Sequence, residues 1–281
     1  MLELHRAERA STLATGLATL LAEPLADAFA ADVVAVPAKG VERWLRQRLS
    51  LSLGAAGASD GIAANIDFPS PGRLVDDVLA VVTGVDADSD PWAAGPLLWT
   101  VLRVIDECST EPWCSVLSRS IGGAAAAPDD HRRGRRWSTA SHVSGLFRSY
   151  AAQRPSMIVD WAAGADTDGA GAPLAPDLLW QAELWRRVRE RIGVPGPAER
   201  LDPVCEALAA DGSVLDLPAR LSLFGATRLT TLQRRVLRAV ADHRDVHLWL
   251  PHPSPVSWAA ASRRAGTGSV RRADAPPVST A

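Results

Sequence analysis

Residues 32–45 read Asp32-Val33-Val34-Ala35-Val36-Pro37-Ala38-Lys39-Gly40-Val41-Glu42-Arg43-Trp44-Leu45, and the fold class rests on them. Val33 to Val36 is a short apolar run stopped by a proline, which reads as a buried strand. Pro37 and Gly40 punctuate a tight turn. Val41, Trp44, Leu45 and Leu49 then recur on one helical face. Lys39, in the turn, is the only lysine among 281 residues. Strand, turn, lysine and helix is the order in which nucleotide-binding folds hold phosphate, so that chemistry is the first to test.

A phosphate-cradling loop needs several glycines, so that successive backbone N–H groups can point inward. Its lysine is followed by Ser or Thr, whose hydroxyl holds Mg²⁺. Here Pro37 removes a donor, Gly40 follows the lysine instead of preceding it, and Val41 stands at the hydroxyl position. The second half of such a site is a strand ending in acidic residues that hold the metal. Arg220-Leu-Ser-Leu-Phe224-Gly225, the strand where α/β pattern resumes, ends in no Asp or Glu. Strands without phosphate loop or metal acid should not hydrolyse ATP.

Leu2 and Leu4 alternate with polar residues as a first strand, and Leu13, Leu17, Leu20 and Leu21 recur as a helix that Pro24 ends. Ile62 to Phe68 reads as another extended segment, closed by Pro69-Ser-Pro-Gly72. Between about Arg73 and Asp216 the pattern is helical. One helix carries Leu97, Leu98, Val101, Leu102 and Ile105, and a second follows Pro112. A third runs from about Arg135 to Arg154 and stops at Pro155, and a fourth carries Leu178, Leu179, Trp185 and Val188. Strand 220–225, a helix with Leu232, Val236, Leu237 and Val240, and strand Val246–Leu250 then restore the alternation. The expected fold is α/β: a parallel-sheet, P-loop-type helicase-like domain, degenerate at its nucleotide site, with a large all-helical insertion. The expected division is 1–72 and 217–258 for the α/β domain, 73–216 for the insertion, and 259–281 for a disordered tail left by truncation.

Apolar residues make up 47% of the chain and charged residues 22%, and the net charge is −2. No global field drives it toward nucleic acid or anionic membrane, so contact with DNA needs a local patch. Cys108, Cys114 and Cys205 form no CxxC pair, which suits a reducing, cytoplasmic interior. No stretch approaches the roughly 20 apolar residues of a membrane helix.

Arg132, Arg133, Arg135 and Arg136 fall within five residues beside Trp137, and Arg186, Arg187, Arg189 and Arg191 follow Trp180 and Trp185. Arginine with aromatics grips phosphates and stacks unpaired bases. The competing reading is a solvated face over a tryptophan-rich core. His243, His247 and His252 cluster in sequence without acidic or cysteine ligands, so no metal site is expected. The alternating Asp86, Asp88 and Asp90 lack the glycine and final glutamate of a calcium loop.

Four passages resemble the N-terminal part of the RecC family, the gamma subunits of exodeoxyribonuclease V. They are Val33 to Leu45; Gly61-Ile-Ala-Ala-Asn-Ile-Asp-Phe-Pro69 with Pro71; Leu146-Phe147, Tyr150 and Arg154-Pro155 with Trp180-Gln181 and Leu184-Trp185; and Leu217 through Phe224-Gly225 and His247-Leu248 to Trp258. The resemblance implies a superfamily 1 helicase fold that has lost its ATPase motifs. It also implies a non-catalytic role of guiding separated DNA strands in a double-strand-break repair complex. ATP and Mg²⁺ would belong to RecB-like and RecD-like partner subunits, with none held by this chain. Lys39, Gly40, Arg43 and Arg154 would lie on the DNA path with Arg132, Arg133, Arg135 and Arg136. Pro37, Lys39 and Arg43 depart from the polar uncharged residues that read the recombination signal Chi in the best-known branch, so strand guidance carries over and Chi reading does not. Two other readings stay open: a free-standing NTP-using enzyme with Lys39 catalytic, and a truncated remnant without function.

Overall fold

The structure, a computed structural model, describes residues 1–252 without 28, 55–60, 87 and 122–134, and beyond them 254, 256, 258, 259 and 263. Strands β1 (Leu2–Ala7), β2 (Asp32–Ala35), β3 (Ile66–Asp67), β4 (Arg220–Phe224) and β5 (Asp245–Pro251) form one sheet. Their order is β1-β5-β4-β2-β3, and every neighbouring pair is parallel. Parallel neighbours cannot be joined by tight hairpins. Helices α1 (Ala10–Leu21), α2 (Lys39–Leu49) and α3 (Pro71–Thr83) follow β1, β2 and β3 in turn. The α/β parallel sheet expected from the sequence is present.

Period-two alternation sends the strands' side chains to two cores. On one face Val34, Val36, Phe224 and Trp249 pack against Leu13 and Leu17 of α1 and Leu45 and Leu49 of α2. On the other, Ala35, Leu221, Leu223 and Val246 meet Leu74 and Val78 of α3. Between β3 and β4 run α4 (Ala94–Glu107), α5 (Ser115–Ile121), α6 (Arg136–Gln153), α7 (Pro155–Ala162), α8 (Leu179–Ile192) and α9 (Pro197–Ala210), and α10 (Thr231–Val240) joins β4 to β5. Leu97, Val101, Ile105, Phe147, Trp161 and Trp185 build a separate helical core. Leu201, Val204 and Leu208 of α9, and Val236 and Val240 of α10, complete the second sheet face.

Three details differ from the sequence expectation. The extended segment at 62–68 is a strand only over Ile66–Asp67, because Asn65 adopts φ 55°, a left-handed conformation that asparagine tolerates. Its Nδ2 donates to Ala30 O at 2.8 Å and anchors the bend. The third helix stops before Pro155 as expected, but a further helix starts there: Pro155 occupies the first position of α7, where a missing N–H costs nothing. Helix α9 went unseen because Pro203 lies inside it and Gly/Pro residues precede it. Of the tail 259–281, only Ala259 and Arg263 are described.

Helix α10 opens on a reciprocal cap. Thr230 Oγ1 accepts from Gln233 N at 3.1 Å, and Gln233 Oε1 accepts from Thr230 N at 2.9 Å. Thr230→Ala is expected to cost about 1 kcal/mol in urea unfolding, and Thr230→Ser only a few tenths.

Candidate functional site

Strand order reverses between β2 and β4. From β2 the chain runs outward to β3, whereas β4 pairs with β2 on its other side and leads away to β5. In open α/β sheets, ligands bind in the crevice that such a reversal leaves at the carboxyl ends of the strands. The two half-sites read as vacant in the sequence therefore adjoin. Val33, Val34 and Ala35 lie in register with Leu221, Ser222 and Leu223.

On the β2 side, Ala38 caps α2 in extended conformation and contributes no side-chain hydrogen bond. The Lys39 side chain is 92% exposed, and its Nζ donates to Glu42 Oε2 at 3.0 Å. Glu42 also pairs with Arg46 at 3.3 Å. A carboxylate in the first turn takes up the favourable end of the helix dipole and opposes a nucleotide phosphate there. Apart from its chain neighbours and its own helix backbone, no described atom lies within 4 Å of where a Gly40 Cβ would stand. Arg43, one turn on, is exposed.

On the β4 side, Phe224 passes into Gly225 at φ +72°, and Gly225 N donates to Trp249 O at 2.9 Å. Ala226, Thr227 and Arg228 follow, without a carboxylate. Arg228 is exposed on this loop and was not singled out in the sequence; its position just past a strand end is the signal that could have found it. Thr231 Oγ1, at the start of α10, donates to Gln153 O at 2.8 Å, which brings the end of α6 to this edge of the sheet. Arg154 thereby comes beside the start of α10. It shares a cleft of about 670 Å³ with Tyr150, Asp202, Thr231 and Arg235. Arg235, paired with Asp202, carried no distinguishing sequence signal.

The remaining arginines separate. Arg135 and Arg136 stand at the other end of α6, whose 18 residues span about 27 Å. Arg136 pairs with Asp106 of α4. Beside it, exposed Trp99 and Trp137 meet edge to face with centroids 4.8 Å apart. Arg132 and Arg133 lie outside the described residues. The α8 arginines are engaged with carboxylates: Arg186 with Asp166 and Glu183, Arg187 with Glu183 and Glu111, Arg189 with Glu199, and Arg191 with Glu107. That helix face is charge-compensated, and the solvated-face reading fits it.

The three clustered histidines do not converge. His243 Nε2 lies 3.0 Å from Ala209 O, and His252 packs edge-on against Trp258. His247 instead faces Glu3 and His5 of β1, and burial pulls its pKa below the usual histidine value. Asp90 pairs with Arg200 and Asp86 closes a local turn on Asp88 N, so the acidic loop is spent on structure. The three cysteines are free, and burial, with the Glu111 carboxylate adding to it, pushes the Cys108 thiol up to about 11. Among the described residues no helix is long and apolar enough to cross a membrane.

Comparison with known proteins gives a consistent result. The family model described as RecC, N-terminal domain, matches residues 2–276. The RecBCD enzyme subunit RecC of Mycobacterium tuberculosis is 48% identical over 262 residues, covering 92% of this chain and 23% of that protein. Its counterpart in Mycolicibacterium smegmatis is 46% identical over 266 residues, covering 94% of this chain and 22% of that protein. The Escherichia coli subunit is 25% identical over 242 residues, covering 84% of this chain and 20% of that protein. The chain thus spans less than a quarter of the length of these relatives, and its matches lie along nearly all of its own length. With its parallel sheet and its switch-point crevice, this chain belongs to the RecC N-terminal domain family.

Proposed function

We propose that this chain is the amino-terminal, helicase-like module of a non-catalytic RecC-type subunit that guides DNA in a cytoplasmic repair helicase–nuclease. The observation that carries the reading is the crevice between β2 and β4. It keeps the topology of a ligand site, yet Glu42 stands in the first turn of α2 and no acid follows β4. A crevice with no phosphate loop and no metal acid, whose one first-turn carboxylate is already paired with Lys39 and Arg46, has exposed Arg43 and Arg228 at its rim and the Arg154 cleft at the start of α10, which suits a nucleic-acid backbone better than a nucleotide. ATP and Mg²⁺ then belong to RecB-like and RecD-like partners. Residues 1–72 and 217–258 would form the helicase-like domain and 73–216 the helical insertion, whose first and last helices, α3 and α9, pack on the sheet. Arg135 and Arg136, with Arg132 and Arg133 preceding them, form a second contact beside Trp137, where an unpaired base can stack.

Single-strand binding measured by fluorescence anisotropy across a salt series tests this. Log affinity is expected to fall linearly with log salt. Lys39→Ala, Arg43→Ala and Arg154→Ala should each flatten the slope by about 0.7, the loss of one phosphate contact to a single strand. Pull-down with the RecB-like partner is expected to retain the chain. ATP binding that Lys39→Ala abolishes would refute the reading and favour an NTP-using enzyme.

A further inference from the structure

We propose that Glu3, His5 and His247 form a zinc site that pins the edge strand β1 to β5. Glu3 and His5 alternate on one face of β1, and Glu3 lies directly opposite His247 in the parallel register. Three donor atoms converge there. His5 Nε2 is 3.0 Å from His247 Nδ1, Glu3 Oε2 is 3.4 Å from His247 Nδ1, and Glu3 Oε2 is 3.6 Å from His5 Nε2.

That triangle has the dimensions of one face of a tetrahedral site. Ligands about 2.0–2.1 Å from a tetrahedral zinc stand roughly 3.3–3.4 Å apart. Octahedral magnesium at similar bond lengths would draw neighbouring ligands to about 2.9 Å and would prefer oxygen donors. Two imidazoles and a carboxylate are the borderline donor set that zinc takes. Hydrogen bonding alone accounts for the shortest side of the triangle, and leaves the carboxylate oxygen beyond good hydrogen-bond distance of either ring.

Packing fixes the His5 ring in place. The His5 ring stacks on Trp249 at 3.9 Å and 11°, and Trp249 Nε1 donates to Ser222 Oγ at 3.1 Å. His247 is buried, whereas Glu3 is about two-fifths exposed, which leaves the fourth position open to water. The ligands stand 242 residues apart in the chain, so their spacing carries no metal signature in the sequence.

The test uses the full 281-residue chain, stripped with chelator and titrated with Zn²⁺ and, as a spectroscopic probe, Co²⁺. One equivalent of zinc per chain is expected by calorimetry and elemental analysis. Co²⁺ should give the intense visible absorption of four-coordinate ligation. His5→Ala and His247→Gln should weaken affinity at least about 100-fold. Glu3→Gln, on the exposed edge, reads the same contact if the buried His247 variant fails to fold. His243→Gln should change nothing. Absence of stoichiometric zinc, or zinc binding that survives both His5→Ala and Glu3→Gln, overturns the proposal. So does zinc binding lost on His243→Gln.

Discussion

Arg220→Met is expected to lower the unfolding free energy of the sheet core by about 3–5 kcal/mol. Arg220 opens β4, and its Nε and Nη2 donate to Asp32 Oδ1 and Oδ2 at 2.8 and 3.1 Å, while Nη1 donates to Leu20 O at 2.8 Å. The two side chains are only 11% and 16% exposed. One guanidinium therefore ties the starts of β4 and β2 to the end of α1. Methionine fills much of the volume but leaves the Asp32 carboxylate desolvated and alone, which accounts for most of the cost. The double variant Asp32→Asn/Arg220→Met removes that stranded charge and is expected to recover part of the loss. Urea unfolding followed by far-ultraviolet circular dichroism checks both. A double variant no more stable than Arg220→Met would show that the cost lies in packing and the Leu20 bond, not in the orphaned acid. Because this pair sets β2 against β4, strand binding at the crevice should weaken with it.

Gly169→Ala is expected to destabilise the helical core by roughly 3–5 kcal/mol, the sum of backbone strain and overpacking. Gly169 has φ +77°, and a Cβ there would stand 2.6 Å from Met157 N and 2.8 Å from Met157 Cα. Both obstacles are backbone of α7, so no side-chain rotation relieves them. The loop is held down on that helix by Ser156 Oγ donating to Gly169 O at 2.9 Å and Trp161 Nε1 donating to Thr167 O at 3.0 Å. Gly171 is the control. Its φ is +92°, but nothing lies within 4 Å of its Cβ position, so Gly171→Ala should cost only about 1–2 kcal/mol. Thermal unfolding of the two variants side by side makes the comparison. Equal losses would show that conformation, and not the close approach to α7, requires the glycine. Gly169 also lines the cleft that holds Arg154, so its variant should blunt the salt dependence of strand binding.

The alternation of strands and helices was legible in residues 1–49 and 217–251 because it rests on hydrophobic period, which is a local property. The expectation that phosphate chemistry is missing was likewise drawn from residue type alone, from Pro37, Val41 and the acid-free end of β4. Local pattern faltered where one residue redirected the backbone. Asn65 shortened β3, Pro155 began a further helix besides ending α6, and Pro203 hid α9.

Everything that depends on which faces meet had to await the packed chain. Strand β4 inserts between β5 and β2, and so joins two half-sites that lie about 190 residues apart in sequence. The contact between Thr231 and Gln153 sets the end of α6, and Arg154 with it, beside the start of α10, while the length of α6 takes Arg136 away from it. The α8 arginines, equal in sequence to any other basic cluster, meet Glu107, Glu111, Asp166 and Glu199 from other elements and lose their free charge. His247 finds Glu3 and His5 only because β5 pairs with β1. Periodicity specifies which side of an element is apolar; it does not specify the partner, and pairing between distant segments is where charge compensation, ligand convergence and the crevice itself originate.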